Sequence, residues 1–231
     1  VTRGRVPVVV GVSADVAREA GDNARVAEQL GAAGVMTLPP LSYRADDEEI
    51  VRFFRSVADA TDLPLMIYNN PSGSKNDLRP SLVAQLFEID RIVAVKETSE
   101  DVRRISAILE LTGDEMEVLV GGDDWALEGF AAGATGWVSG CADVAPRESV
   151  ALYESIQAGD MDGARRIYRR LLPLARLDMD PKLVQLFKAA LDEIGRYGGP
   201  SRPPRLPLTR PEVERVQAAV ARLVATPDLQ S

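Results

Sequence analysis

Six short apolar runs recur along this chain: VPVVVG from Val6, GVMTLPP from Gly34, LPLMIYNN from Leu63, RIVAVKET from Arg91, EVLVGG from Glu117 and TGWVSG from Thr135. Their starts lie 28, 29, 28, 26 and 18 residues apart, a spacing that holds one strand and one covering helix per unit. Each run is too short for a helix, rich in β-branched residues and almost unbroken in apolar character, the pattern of a parallel strand buried on both faces. Between the runs the spacing turns helical. Asp46 and Asp47 offer an N-cap to a helix with Ile50, Phe53, Phe54 and Val57 on its apolar side, and Pro80 and Pro146 suit first helical positions. Gly31 and Gly113 stand where helices should stop before the next strand.

Beyond the sixth run no strand pattern returns. Segments 162–176, 181–194 and 210–224 read as helices, with the stiff GGPSRPPRLPLT stretch before the last. The expected organisation is βα units over 1–158 followed by a helical region over 159–231.

Composition narrows the chemistry. With 231 residues, 45% of them hydrophobic, the chain can bury one sizeable core. A net charge of −8 argues against nucleic-acid backbones as partners, and Arg165, Arg166, Arg169 and Arg170 read as the wet face of a helix. One cysteine, Cys141, precludes an intrachain disulfide and favours a cytoplasmic setting. The expectation is a soluble chain with no leader and no membrane span. There is no histidine. That removes Ser-His-Asp and Cys-His mechanisms, HExxH zinc sites and histidine proton shuttles, and leaves acid–base work to Tyr, Lys, Asp, Glu or water.

Lys96 ends the fourth run, and a lysine at the carboxyl end of a strand in a repeating βα chain faces the end where such folds place active sites. Partial burial there disfavours the ammonium and leaves an amine able to attack a carbonyl carbon. Tyr68 ends the preceding run at the equivalent position, so neighbouring strands would bring a phenol to that amine as a proton relay. Other features read as structural. The Gly121, Gly122, Asp123, Asp124 turn lacks a P-loop lysine and is read as helix capping. Cys141 has no evident activating base and is read as a buried, inert thiol.

Together GRVPVVVGV, LPLMIYNNP, IVAVKETSED, VLVGGDD and GATGWVSGCADVAP, in this order and spacing, resemble the dihydrodipicolinate synthase/N-acetylneuraminate lyase family of class I aldolases over about Gly4 to Leu208. The resemblance implies a (β/α)8 TIM barrel with a C-terminal helical extension, commonly a homotetramer. It makes Lys96 the Schiff-base lysine for pyruvate or another 2-oxo acid and Tyr68 the proton relay. It adds Val138 as a pocket-lining backbone, and it requires no metal or organic cofactor.

The departures carry expectations of their own. Family members begin with two further βα units, the second bearing a GTTGE-like turn that holds the 2-oxo acid carboxylate, whereas this chain opens at what resembles the third strand. Six strands do not close an eight-stranded barrel. The expectation is therefore an N-terminally incomplete barrel, the protein starting about 70 residues earlier by the length of two βα units, with Val6–Gly11 left as an apolar sheet edge. Where dihydrodipicolinate synthases proper carry an arginine for the aldehyde's carboxylate, this chain has Gly73, with Lys75 nearby. Their Tyr-Tyr pair is replaced by Leu41 and Ser42, with Tyr43 one place on. The segment LLPLARLDMDPKLVQLFKAAL is similar to catabolic members, including the deaminase of 1-pyrroline-4-hydroxy-2-carboxylate. A non-catalytic 2-oxo acid binding protein on the same scaffold is the alternative outside enzymology.

Overall fold

The computed structural model describes residues 2–224, and the chain divides into two compact units. The first comprises the chain through Gly121 together with Glu128–Trp137; the second comprises Gly122–Leu127 and the chain from Val138 onward.

The first unit holds one six-stranded sheet whose order is that of the sequence: β1 (Val9–Gly11), β2 (Gly34–Thr37), β3 (Leu65–Asn69), β4 (Ile92–Glu97), β5 (Glu117–Val120) and β6 (Gly136–Trp137). All five pairings are parallel. Every strand falls inside one of the six apolar runs. Parallel neighbours need a long crossover, and helices supply it: α1 (Ala17–Gln29), α2 (Asp47–Ala58), the short α3 (Pro71–Ser74) followed by α4 (Pro80–Phe87), α5 (Arg103–Thr112), and α6 (Ala126–Ala131) between β5 and β6. Phe54, Leu65, Ile67, Leu82, Leu86, Ile105 and Ile108 are almost wholly excluded from water and form the centre of this core.

The capping signals act as their chemistry dictates. Asp46 accepts a hydrogen bond from the Glu49 N–H while the Glu49 side chain accepts from the Asp46 N–H, closing a capping box at the start of α2. Pro80 and Pro146 open α4 and α7 (Pro146–Gln157). Gly31 (φ +77°) and Gly113 (φ +63°) take the left-handed conformation that lets α1 and α5 stop and turn toward the next strand.

The strand in the first run is a sheet edge, as expected of Val6–Gly11: it pairs only with β2, and Val8 and Val9 are 41% and 50% exposed. One feature differs from the sequence expectation. α3 went unpredicted because four residues are too few for a 3.6-residue periodicity to register.

The second unit contains α7, α8 (Met161–Ala175), α9 (Leu183–Glu193) and α10 (Arg210–Val224). The last three match the predicted 162–176, 181–194 and 210–224 closely. Leu152, Leu171, Leu174, Leu186 and Val216 are buried among them. Glu212, in the first turn of α10, accepts from Lys182 Nζ at 2.7 Å and from the backbone N–H and hydroxyl of Thr209. Those donors, the Lys182 ammonium foremost, hold its carboxyl down at about 2, against an ordinary value of 4.5.

A carboxylate with a depressed pKa stabilises the fold above its unfolded value and loses that contribution as pH falls through its folded value. Glu212→Gln should therefore be less stable than the parent at pH 7, with the difference fading between about pH 4.5 and 2. Urea unfolding at three pH values across that range checks it, and a pH-independent difference would contradict the assignment.

Candidate active site

The register of β3 and β4 places Tyr68 directly opposite Lys96 and Asn69 directly opposite Glu97. Side chains alternate along a strand, so Tyr68 and Lys96 project from one face and Asn69 and Glu97 from the other. On the first face both side chains are half-buried, and Lys96 Nζ stands 4.1 Å from the centroid of the Tyr68 ring, within cation–π range. Asn70 Nδ2 donates to Tyr68 Oη at 3.2 Å, so the phenol oxygen accepts in this contact. Asn70 is itself held because its Oδ1 accepts from the Gly73 N–H at 2.9 Å, capping α3, with Pro71 as the first helical residue. The YNNP motif thus builds its own turn, and that turn fixes the group bonded to the phenol.

The loops after the first three strands are stitched to one another. Asp15 follows β1, and its Oδ1 accepts from the N–H groups of Leu41 and Ser42 at 2.6 and 2.9 Å, which hold this carboxyl below the ordinary carboxylate range. Asn76, after α3, is buried. Its Nδ2 donates to the carbonyls of Pro40 at 2.7 Å and Tyr43 at 3.0 Å, and its Oδ1 accepts from the Ala45 N–H. The segment after β2 is thereby clamped from both sides. Such loops, at the carboxyl ends of parallel strands, are where α/β folds bind their ligands.

Comparison with known proteins settles the kinship. The model of the dihydrodipicolinate synthetase family matches residues 1–223. The chain belongs to that family. A 4-hydroxy-tetrahydrodipicolinate synthase of Pelobacter propionicus is 38% identical over 172 residues, covering 74% of this chain and 59% of the relative, so this chain spans about three fifths of that relative's length. The 4-hydroxy-tetrahydrodipicolinate synthase of Methylacidiphilum fumariolicum superposes with a TM-score of 0.91 at 30% identity, over 96% of this chain and 74% of the other. YagE, a prophage protein of the dihydrodipicolinic acid synthase family from E. coli K12 solved in complex with pyruvate, gives 0.90 at 28% identity over 96% and 76%.

Against this family the remaining predicted positions fall as follows. Tyr43 is exposed, and it is its backbone carbonyl that is engaged, by Asn76. Gly73 is exposed within α3, where an added Cβ would lie 3.1 Å from Asn70 Nδ2, so a larger side chain must crowd the group that bonds the phenol. Lys75 caps α3 in the left-handed conformation. Val138 follows β6 and belongs to the second unit.

Cys141 is fully buried, and its thiol is pushed well up from the usual range, chiefly by desolvation and then by the nearby Asp123 charge; this suits an unreactive thiol. In the Gly121–Asp124 turn, buried Asp123 accepts from the Cys141 N–H at 2.7 Å, so its carboxylate ties this turn to a backbone donor 18 residues on.

Sequence reasoning missed Asn69, Asn70, Asn76, Glu97 and Asp15. Asn70 had a local signal, since Asn-Pro ahead of small residues marks an N-cap followed by a first-turn proline. The others are polar residues whose partners lie 9 to 36 positions away, beyond any local pattern.

Asn76→Ala removes three donated bonds and one accepted bond from a buried position and leaves backbone groups unsatisfied. That should destabilise the protein by about 1–3 kcal/mol. Denaturant unfolding at neutral pH measures it.

Proposed function

We propose that this protein is a Schiff-base-forming lyase or synthase acting on pyruvate or another 2-oxo acid, a 4-hydroxy-tetrahydrodipicolinate synthase-like class I aldolase, with Lys96 as nucleophile and Tyr68 as proton relay. The observation that carries the reading is the Lys96 ammonium over the Tyr68 ring at in-register strand ends. Family membership and the pyruvate complex of YagE support it.

The chemistry follows from those two groups. The free amine of Lys96 adds to the C2 carbonyl carbon of the 2-oxo acid, and the carbonyl oxygen takes up protons and leaves as water. The resulting iminium withdraws electrons from C3, which loses a proton to give an enamine, and C3 then attacks a second carbonyl compound or, in reverse, releases one. Tyr68 Oη, bonded by Asn70 Nδ2, gives and takes the protons of these steps. Gly73 and Tyr43 border the same strand ends and belong to substrate selection, as does the backbone of Val138. In this reading Gly73 supplies no cation where dihydrodipicolinate synthases proper have an arginine for the aldehyde's carboxylate.

The six strands represent six units of a (β/α)8 barrel in this proposal, carried by residues 1–158, with 159–231 as the helical extension. A homotetramer, by resemblance to the family, and a cytoplasmic setting, from the single cysteine, belong to the same proposal. No helix among the described residues is long and apolar enough to cross a membrane. The deaminase and the non-catalytic binding readings draw no support from the comparisons.

Incubation with pyruvate and sodium borohydride, followed by peptide mapping, should place a stable adduct on Lys96. Lys96→Ala should give none while keeping the parent circular dichroism spectrum. Tyr68→Phe should slow trapping by about 10²–10⁴-fold, the usual range for a lost acid–base group. An adduct retained in Lys96→Ala would sink the proposal.

A further inference from the structure

The opposite face of the same strand ends carries a second pair of side chains. Asn69 and Glu97 are each 0% exposed, and Asn69 Nδ2 donates to Glu97 Oε2 at 2.8 Å across the β3/β4 seam. Neither group can turn. Asn69 Oδ1 accepts from the Leu78 N–H at 3.0 Å and its Nδ2 also donates to the Leu78 carbonyl at 3.2 Å, so the group it shows to Glu97 has to be a donor. Glu97 Oε1 accepts from the Ser99 N–H at 2.6 Å. Glu97 therefore has to accept at both oxygens, which a carboxylate does and an amide cannot.

The backbone closes the same seam. The Thr98 N–H donates to the Asn69 carbonyl at 2.9 Å, and on the other side of β4 the Gly121 N–H, just after β5, donates to the Glu97 carbonyl at 2.8 Å. Each member of the buried pair is the chain neighbour of a member of the reactive pair: Asn69 of Tyr68, Glu97 of Lys96. Burying a carboxyl is costly without full compensation, and here the outlay goes to joining the two strand ends that carry the proposed chemistry.

We propose that Asn69 and Glu97 are positioning residues, a buried amide–carboxylate lock that sets the separation and facing of Lys96 and Tyr68 from behind the sheet. This rests on the reading of Lys96 as the nucleophile. The lock touches no substrate, so its loss slows the covalent step without weakening capture of the 2-oxo acid.

The test compares Glu97→Gln, Asn69→Asp and the double variant. Glu97→Gln sets an amide N–H₂ against either Asn69 Nδ2 or the Ser99 N–H. Asn69→Asp sets two carboxylates face to face. The double variant restores an amide–carboxylate pair with donor and acceptor exchanged and keeps acceptors for Leu78 N–H and Ser99 N–H, while the Leu78 carbonyl loses the donor that Asn69 Nδ2 supplied. With folding verified by thermal melts, each single variant should lower the maximal rate of pyruvate trapping by at least about tenfold, as misplacement of a reacting group does. The pyruvate concentration for half-maximal rate should stay within about twofold, and the double variant should regain part of the lost rate.

A second readout is independent of pyruvate: the acetylation rate of Lys96 by acetic anhydride relative to Lys188, read by mass spectrometry. That ratio should change severalfold in the single variants and return in the double. Folded single variants with the parental Lys96:Lys188 ratio, or a double variant whose losses simply add, would overturn the proposal. If the parent forms no pyruvate adduct, the Schiff-base reading fails by itself and the labelling ratio still decides the lock. Should Asn69→Asp not fold, Glu97→Gln, which adds no charge, decides alone.

Discussion

The pairing of β3 with β4 is the constraint on which the candidate site depends. A parallel register sets Tyr68 beside Lys96 and Asn69 beside Glu97, and because the side-chain period of a strand is two, slipping one strand by a single residue would send the phenol and the amine to opposite faces. The register irregularity at Leu65/Met66 lies at the start of the pair, before the reactive residues. From Met66 onward the two strands run in step to their ends. The apolar residues of the seam, Ile67 and Val95, are fully buried and resist any slip that would expose them.

Much of the fold was legible because its cause is local. Buried parallel strands must be short, apolar and evenly spaced, so all six appear in the pattern, and Pro80, Pro146, Asp46 and Gly113 mark helix ends by their own stereochemistry. What escaped notice depends on pairing at a distance. The bond from the Cys141 N–H to buried Asp123 joins residues 18 positions apart, which the GGDD turn alone does not reveal.

The candidate site divides in the same way. The pairing of Lys96 with Tyr68 was legible because each lies at the end of an apolar run, and the equivalence of those positions is visible in one dimension. The Asn and Asp residues around them were not. Asn76 joins three loop backbone groups to itself, and Asp15 reaches two more 26 and 27 residues away. Such residues look like ordinary loop polarity until the strands bring their loops together. The Asn76 amide and Asp15 Oδ1 are engaged by backbone groups, so these side chains give the loops their shape.

This contrast explains why the polar residues sort by face. In the proposed reaction Lys96 and Tyr68 need access to a substrate and to water for proton exchange, and both are half-buried. Asn69 and Glu97 lie sealed behind them, where burial raises the Glu97 carboxyl's affinity for its proton while the Ser99 and Asn69 donors and the Arg104 charge oppose that rise. A carboxylate in that place is worth its desolvation only if its geometry matters more than its solvation, since an apolar pair of the same shape would pack with less cost. Apolar side chains, however, would let β3 and β4 slide by a fraction of an ångström at no penalty, whereas hydrogen bonds lose strength steeply with angle and distance. Directionality is what the amide and the carboxylate add to this seam. If Lys96 and Tyr68 act as proposed, a nucleophile and its proton relay held on separate strands have most need of it.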